Sequence, residues 1–152
     1  MRRSLHWGEF KVMERPMTQA SRIKPPLGHD NAWWWEMAAE GKLGIQRCLG
    51  CNTLRHPPRP MCGECHSMEW DAVEASGRGT ICSFTTLTHP KFPGYEYPLI
   101  IVLVDLEEGT RVTSQLVDCS PDDVDFDLPV DMVMHEDPDG FRLPVFRLRR
   151  DA

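Results

Sequence analysis

The chain has 152 residues, 41% of them hydrophobic, and a formal net charge of −6. That length holds one ordinary domain or two small modules in tandem, and that hydrophobic content marks a globular protein rather than a disordered one. Residues 1–60 carry ten Lys and Arg against five Asp and Glu, whereas residues 61–152 carry seven against eighteen; so acidic a C-terminal part argues against a nucleic-acid surface.

No apolar run approaches the length of a membrane span, and the longest, residues 99–104, suits a buried strand. Near the N-terminus, Glu9, Lys11, Glu14 and Arg15 stand where a secretory signal needs an apolar stretch. The chain therefore reads as cytoplasmic, a reducing setting in which paired cysteines bind metal more often than they form disulfides. Residues 1–28 show no sustained period and hold Pro16, Pro25, Pro26 and Gly28, the composition of a loosely ordered leader, with Met13 and Met17 as internal start candidates.

Residues 29–44 form a helical segment. Asp30 or Asn31 is expected to cap a helix over residues 32–40 through a side-chain oxygen, and Gly41 and Gly44 offer its stop. Trp33 and Met37 share a face at i and i+4. Three consecutive tryptophans, Trp33, Trp34 and Trp35, cannot share one face. At least one is expected to look away from the core, either over a neighbouring loop or as an interface anchor.

Residues 45–69 carry Cys48-Leu49-Gly50-Cys51 and, ten residues on, Cys62-Gly63-Glu64-Cys65. Each Cys-x-x-Cys knuckle turns two thiolates toward one metal, with Gly50 and Gly63 relaxing the turn. Four thiolates in a tetrahedron suit zinc, and the spacing also accommodates iron. A shell closed by Cys48, Cys51, Cys62 and Cys65 leaves no position for substrate, so the metal is structural. A redox pair would want a βαβ pattern, and none is present. His56 and His66 read as neighbours of the ligands, Cys82 as a small core residue, and Cys119 has no evident partner.

From Trp70 to residue 150 the pattern is all-β. Gly77-Arg78-Gly79 introduces a strand over residues 80–88, and residues 89–98, with three prolines, form a loop. Residues 99–106 make a strand apolar on both faces, and Glu107-Glu108-Gly109 turns the chain into a return strand over 110–118. After an acidic stretch over 119–127, residues 128–135 alternate with period two. Asp137-Pro138-Asp139-Gly140 is a turn, and residues 141–149 close the chain. Five or six short antiparallel strands point to a mainly β fold with a small OB-type barrel, a sandwich being the alternative.

Catalytic groupings are scarce. There is no Gly-x-Ser-x-Gly, P-loop or His-Glu-x-x-His. Glu107 and Glu108 are adjacent and so poorly placed as a carboxylate pair, the acidic stretch lacks calcium-loop spacing, and His89 in the Pro-rich loop is the one isolated acid–base candidate.

The Trp-rich helix, the two knuckles, Pro57-x-Arg59-x-x-Cys62, Trp70, Ser76-Gly77-Arg78-Gly79-Thr80 and the apolar strand 99–106 follow in order. Together they resemble the acyl-CoA-associated zinc-ribbon/OB-fold family known as domain of unknown function thirty-five, over residues 29–149. The runs Ile45-Gln46-Arg47-Cys48, residues 54–62 and Glu69-Trp70-Asp71 are similar to the C-terminal domain of a steroid enoyl-CoA hydratase subunit. The resemblance implies a rubredoxin-like zinc ribbon followed by an OB barrel. It also implies an accessory role beside a thiolase-fold, lipid-transfer-protein-type aldolase, in a hetero-oligomer. That enzyme cleaves a steroid side-chain acyl-CoA to propionyl-CoA and a 17-keto steroid, with the catalytic residues on the thiolase-fold subunit. Trp33, Trp34 and Trp35 are then candidate interface anchors. Arg47, Arg55 and Arg59 are candidates for the same interface or a CoA phosphate, or else offset the thiolate charge. Two readings compete: an accessory subunit of another thiolase-type acyl-CoA enzyme, and a nucleic-acid-binding OB module, which needs a basic groove that the −11 charge of residues 61–152 denies.

Overall fold

The structure is a computed structural model and describes residues 21–149. Residues 1–20 of the leader, including Met13 and Met17, lie outside the described residues, as do residues 150–152.

The helix α1 runs Ala32–Ala39 and is followed by the strands β1 (Gly44–Cys48), β2 (Leu54–Arg55) and β3 (Trp70–Glu74). These three strands form a small antiparallel sheet in the order β2-β1-β3. The helix ends where Gly41 takes a φ of 86°; Gly41 N donates to Ala38 O and Lys42 N to Met37 O, closing the last turn. Its start departs from expectation. Asn31 occupies the cap position but makes no side-chain hydrogen bond into the helix. Its amide instead accepts from Gly28 N at 2.7 Å and donates to Pro26 O at 3.3 Å, so the residue secures the preceding segment.

The remaining strands are β4 (Arg78–Leu87), β5 (Leu99–Leu106), β6 (Arg111–Val117), β7 (Pro129–Glu136) and β8 (Arg142–Leu148). They close a barrel in the order β4-β5-β6-β8-β7. All pairings are antiparallel except β6 with β8. Five strands in this order, with one parallel pairing, are the arrangement of an OB barrel, so the sandwich alternative falls away. Gly109 at φ 85° and Gly140 at φ 81° supply the left-handed residues of two expected turns.

Alternation builds the core. Ile81, Ile100, Val102, Val104, Val112, Leu116, Val130 and Phe146 point inward, joined by Leu43 and Ile45 from the ribbon side. Ribbon and barrel thus share one apolar cluster. On β5 the other face is half-buried at Ile101 and Leu103. Cys82 is a correction to the sequence reading: the β4–β5 register shifts between Ile81 and Ser83, so Cys82 sits at a bulge, half-buried and outside the core. Among the described residues no helix is long and apolar enough to cross a membrane.

Candidate metal centre and the adjoining groove

Cys48 ends β1, and the chain turns back so that Asn52 N donates to Cys48 O at 2.8 Å. Asn52 takes φ 61° in that turn, and His66 takes φ 59° in the second knuckle, where its N donates to Cys62 O. The knuckles are tied across by Leu49 N to Glu69 O and within by Cys62 N to Ser67 O. The four Sγ atoms lie within 4.8 Å of one another. The Cys48 and Cys65 sulfurs stand 3.5 Å apart and those of Cys51 and Cys62 3.6 Å apart. A tetrahedral Zn–S₄ shell, with bonds of about 2.3 Å, needs sulfur–sulfur edges of about 3.8 Å, so this donor set fits the ion.

Electrostatics point the same way. The Cys51 thiol is drawn down to about 6, chiefly by the Thr53 hydroxyl and backbone. Cys65 is pushed up to about 12: the Ser67 backbone N–H pulls it down, but the neighbouring sulfurs of Cys48 and Cys51 outweigh it. Four sulfurs so close cannot all ionise until a cation is placed among them. Gly50 N donates to Cys48 Sγ at 3.3 Å, and a Cβ on Gly50 would stand 3.1 Å from Cys65 Sγ. Gly63 differs from expectation: a Cβ there meets open space and its φ is not positive, so the knuckle has no steric need for glycine.

His66 is exposed and is not in the sulfur group. The three tryptophans radiate to three neighbours. Trp33 stacks on Trp70 at 5.1 Å and donates to Asp30 O. Trp34 donates to Gly44 O at 2.8 Å and lies 5.6 Å from the His56 ring. Trp35 meets Phe141 of the barrel at 5.1 Å. All three are half-buried, so the helix stitches ribbon to barrel.

The three arginines do not converge. Arg47 pairs with Asp71 through two hydrogen bonds, directly opposite in the β1–β3 register. Arg55 lies opposite Gln46, and so on the other face of the sheet from Arg47. Its guanidinium nitrogens are enclosed and have no hydrogen-bond partner among the described residues. Arg59 is exposed, and its backbone is clasped at both N and O by the buried Gln46 amide. His89 is an exposed loop residue. Cys119 borders a polar cavity, and its thiol is pushed up by burial and by Asp123 and Asp118, which disfavours the thiolate. Glu107 and Glu108 are separated, one pairing with Arg78 and the other accepting from Ser76 N.

Sequence reasoning missed an apolar groove of about 620 Å³ between α1, the ribbon and the barrel. Trp34, Trp35, Tyr95, Tyr97, Leu99 and Ile101 form its walls. Ile23 and Phe92, 73% and 47% exposed, stand at its rim. His56 faces it as a neutral imidazole, because burial holds its pKa at about 4 against an ordinary 6.5. The sign follows: the unfolded chain takes up a proton as pH falls below 6.5, whereas the folded chain refuses it until about 4. Stability therefore declines across that window, by up to about 3 kcal/mol. His56→Gln should remove this part of the decline, measured as a smaller difference between urea midpoints at pH 6.5 and pH 4.5; identical slopes for the two proteins would refute it.

A second missed feature lies on the groove's far side. Arg22, 9% exposed, donates through Nη1 to Gln115 Oε1 at 3.2 Å and pairs through Nε with Asp137 at 3.2 Å. Its guanidinium carbon lies 4.7 Å from the Tyr95 ring centroid. His135 Nε2 meets the same Asp137 oxygen at 3.0 Å. Lys24 pairs with Asp139 at 2.7 Å. The leader residues 21–28 form no helix or strand, yet they are fastened here. The readable signal was two cations two residues apart matching two aspartates two residues apart.

Two family models match the chain. The ChsH2 rubredoxin-like zinc ribbon domain matches residues 35–71, and the ChsH2 C-terminal OB-fold domain matches residues 72–135. A probable enoyl-CoA hydratase alpha subunit of Thermomonospora curvata is 44% identical over 129 residues, 85% of this chain and 40% of that protein. The 3-oxo-4,17-pregnadiene-20-carboxyl-CoA hydratase alpha subunit of Mycobacterium tuberculosis is 38% identical over 117 residues, 77% of this chain and 37% of that protein. The chain thus spans about two fifths of these relatives. A solved chain of the Ltp2–ChsH2(DUF35) aldolase superposes with a TM-score of 0.78 at 44% identity, covering 82% of this chain and 98% of that one. Zinc-ribbon cysteines in place, a five-strand OB barrel behind them and these matches over most of the chain lead to one assignment: the chain belongs to the DUF35 family, in its ChsH2-type zinc-ribbon/OB-fold form.

Proposed function

We propose that this chain is the accessory zinc-ribbon/OB-fold subunit of a thiolase-fold acyl-CoA enzyme of the lipid-transfer-protein type. The enzyme is a retro-aldolase that cleaves a steroid side-chain β-hydroxyacyl-CoA to propionyl-CoA and a 17-keto steroid. The observation that carries the proposal is the open apolar groove between α1, the ribbon and the barrel. A soluble domain that presents exposed Ile23 and Phe92 around such a groove is built to be covered. The likeness to the Ltp2–ChsH2(DUF35) aldolase chain supports the choice of partner, and the pregnadiene name of one relative supports a steroid substrate.

On this reading Cys48, Cys51, Cys62 and Cys65 hold one zinc ion, which fixes the ribbon and supplies no chemistry to the reaction. Trp33, Trp34 and Trp35 hold the ribbon against the barrel, and Trp34 and Trp35 frame the surface the partner covers. The groove seats the apolar part of the acyl group, and Arg59, exposed near the knuckles, is the arginine free to meet a CoA phosphate. Cleavage itself belongs to the partner. A base there takes the β-hydroxyl proton, the α–β carbon–carbon bond breaks as the ketone forms, and its electron pair passes into the thioester enolate, which is then protonated.

The test is co-expression with a lipid-transfer-type thiolase-fold protein. The two should elute together in fixed stoichiometry, and Phe92→Asp at the groove rim should weaken the complex at least roughly tenfold. Independent elution at micromolar concentrations of both proteins would sink the proposal.

A further inference from the structure

Arg22 lines both the apolar groove and a polar cavity of about 830 Å³ on the other side of the barrel mouth. Tyr95 and Gln115, the two residues it touches by ring and amide, also line both. Its side chain, 7% exposed, is therefore the partition between the two spaces. The partition is hung rather than woven. No backbone–backbone hydrogen bond ties residues 21–27 to the barrel among the described residues. Side chains hold the segment, Arg22 to Asp137 and Lys24 to Asp139, and both aspartates belong to the one turn between β7 and β8. Period two puts Arg22 and Lys24 on the side that faces that turn, while Ile23 between them is 73% exposed.

We propose that Arg22 is the movable end wall of the groove and the residue that sets how long an apolar ligand the groove accepts. The proposal rests on reading the groove as the seat of an apolar ligand, and not on any partner protein. With the guanidinium held by Asp137 and Gln115, an alkyl chain stops at a charged wall that it cannot solvate. With the wall gone, groove and cavity become one cleft, apolar at one end and polar at the other. Glu96, Asp118, Glu136 and Asp137 stand around the polar end beside His135. That end therefore rejects an anionic group and accepts a neutral hydroxyl, so the ligand class the opened cleft takes is a long-chain alcohol or a similarly neutral lipid.

Displacement of Nile red from the full chain by straight-chain primary alcohols, octanol to tetradecanol, tests this. Wild-type affinity should rise with chain length and then level off. Arg22→Met, which keeps the apolar stem and removes the charge, and Arg22→Ala should carry the rise further, binding tetradecanol at least roughly tenfold tighter than wild type, since each added buried methylene contributes about fourfold. Asp137→Asn should shift the plateau in the same direction by less, and Lys24→Ala, at the exposed pair, should change affinity by less than about twofold. Near-ultraviolet circular dichroism matching wild type establishes that each variant is folded. An unchanged plateau in the folded Arg22 variants would overturn the inference while leaving the groove as a ligand seat. Failure of every alcohol to displace the dye would overturn both, and absence of any thiolase-fold partner would touch neither.

Discussion

Cys62→Ser should strip the metal from the chain and unfold the ribbon. Cys62 is fully buried, its backbone N–H and carbonyl are both committed within the knuckle, and its sulfur stands 3.6 Å from that of Cys51. Structural zinc contributes on the order of 10 kcal/mol to folding in small ribbon modules, far more than a two-residue β2 and a five-residue β1 and β3 supply by themselves. The loss should spread through Trp33, which stacks on Trp70 at the start of β3, and through Trp34, which is hydrogen-bonded to Gly44 of β1. Elemental analysis should give one zinc per chain in the wild type and none in the variant, with a shift in tryptophan emission. Cys82→Ser, at the bulge, should keep both metal and emission. A Cys62→Ser protein that retains its metal and its melting temperature would contradict the proposed centre.

Gly79→Ala should be the most damaging single methyl in the barrel. Gly79 lies opposite Leu106 of β5 and Val130 of β7 at once, so it stands on the seam where β4 bonds to both neighbours. A Cβ there would fall 2.4 Å from Asp105 O and 2.6 Å from Val104 Cγ1. A side chain can rotate away from such a contact, but a backbone carbonyl in a ladder cannot. Overpacking of this kind costs about 3 kcal/mol, the upper end of its usual range. Gly63→Ala, which meets open space, should stay within about 0.5 kcal/mol of wild type. Urea unfolding of the two variants checks both values, and equal midpoints would refute the steric account.

The sequence was most readable where local chemistry dictates structure. Two Cys-x-x-Cys pairs need no tertiary information to be recognised, and they meet as expected. Period two in residues 128–135 and the glycines at 109 and 140 act through the backbone alone, and their strand and turns are present. What escaped depends on distant partners. Phe92, Tyr95 and Tyr97 read as parts of a Pro-rich loop because nothing in their neighbourhood announces that Trp34 and Trp35 will face them across a groove. Arg22 read as part of a loose leader because its partners lie 93 and 115 positions away, at Gln115 and Asp137. Asp30 or Asn31 is the expected cap on propensity, but the Asn31 oxygen is taken by the donor at Gly28. Cys82 lost its inward place to a bulge, which shifts alternation by one residue and leaves no mark in composition.

The most direct measurement is of turnover. This chain is mixed with a lipid-transfer-type thiolase-fold protein and a steroid side-chain β-hydroxyacyl-CoA, and propionyl-CoA and 17-keto steroid are quantified together. The account predicts no product from either protein alone and equal amounts of both products from the mixture, with His89→Ala and Cys119→Ala leaving that rate largely intact. Turnover by this chain without a partner, or a thiolase-fold protein equally active without this chain, would contradict it.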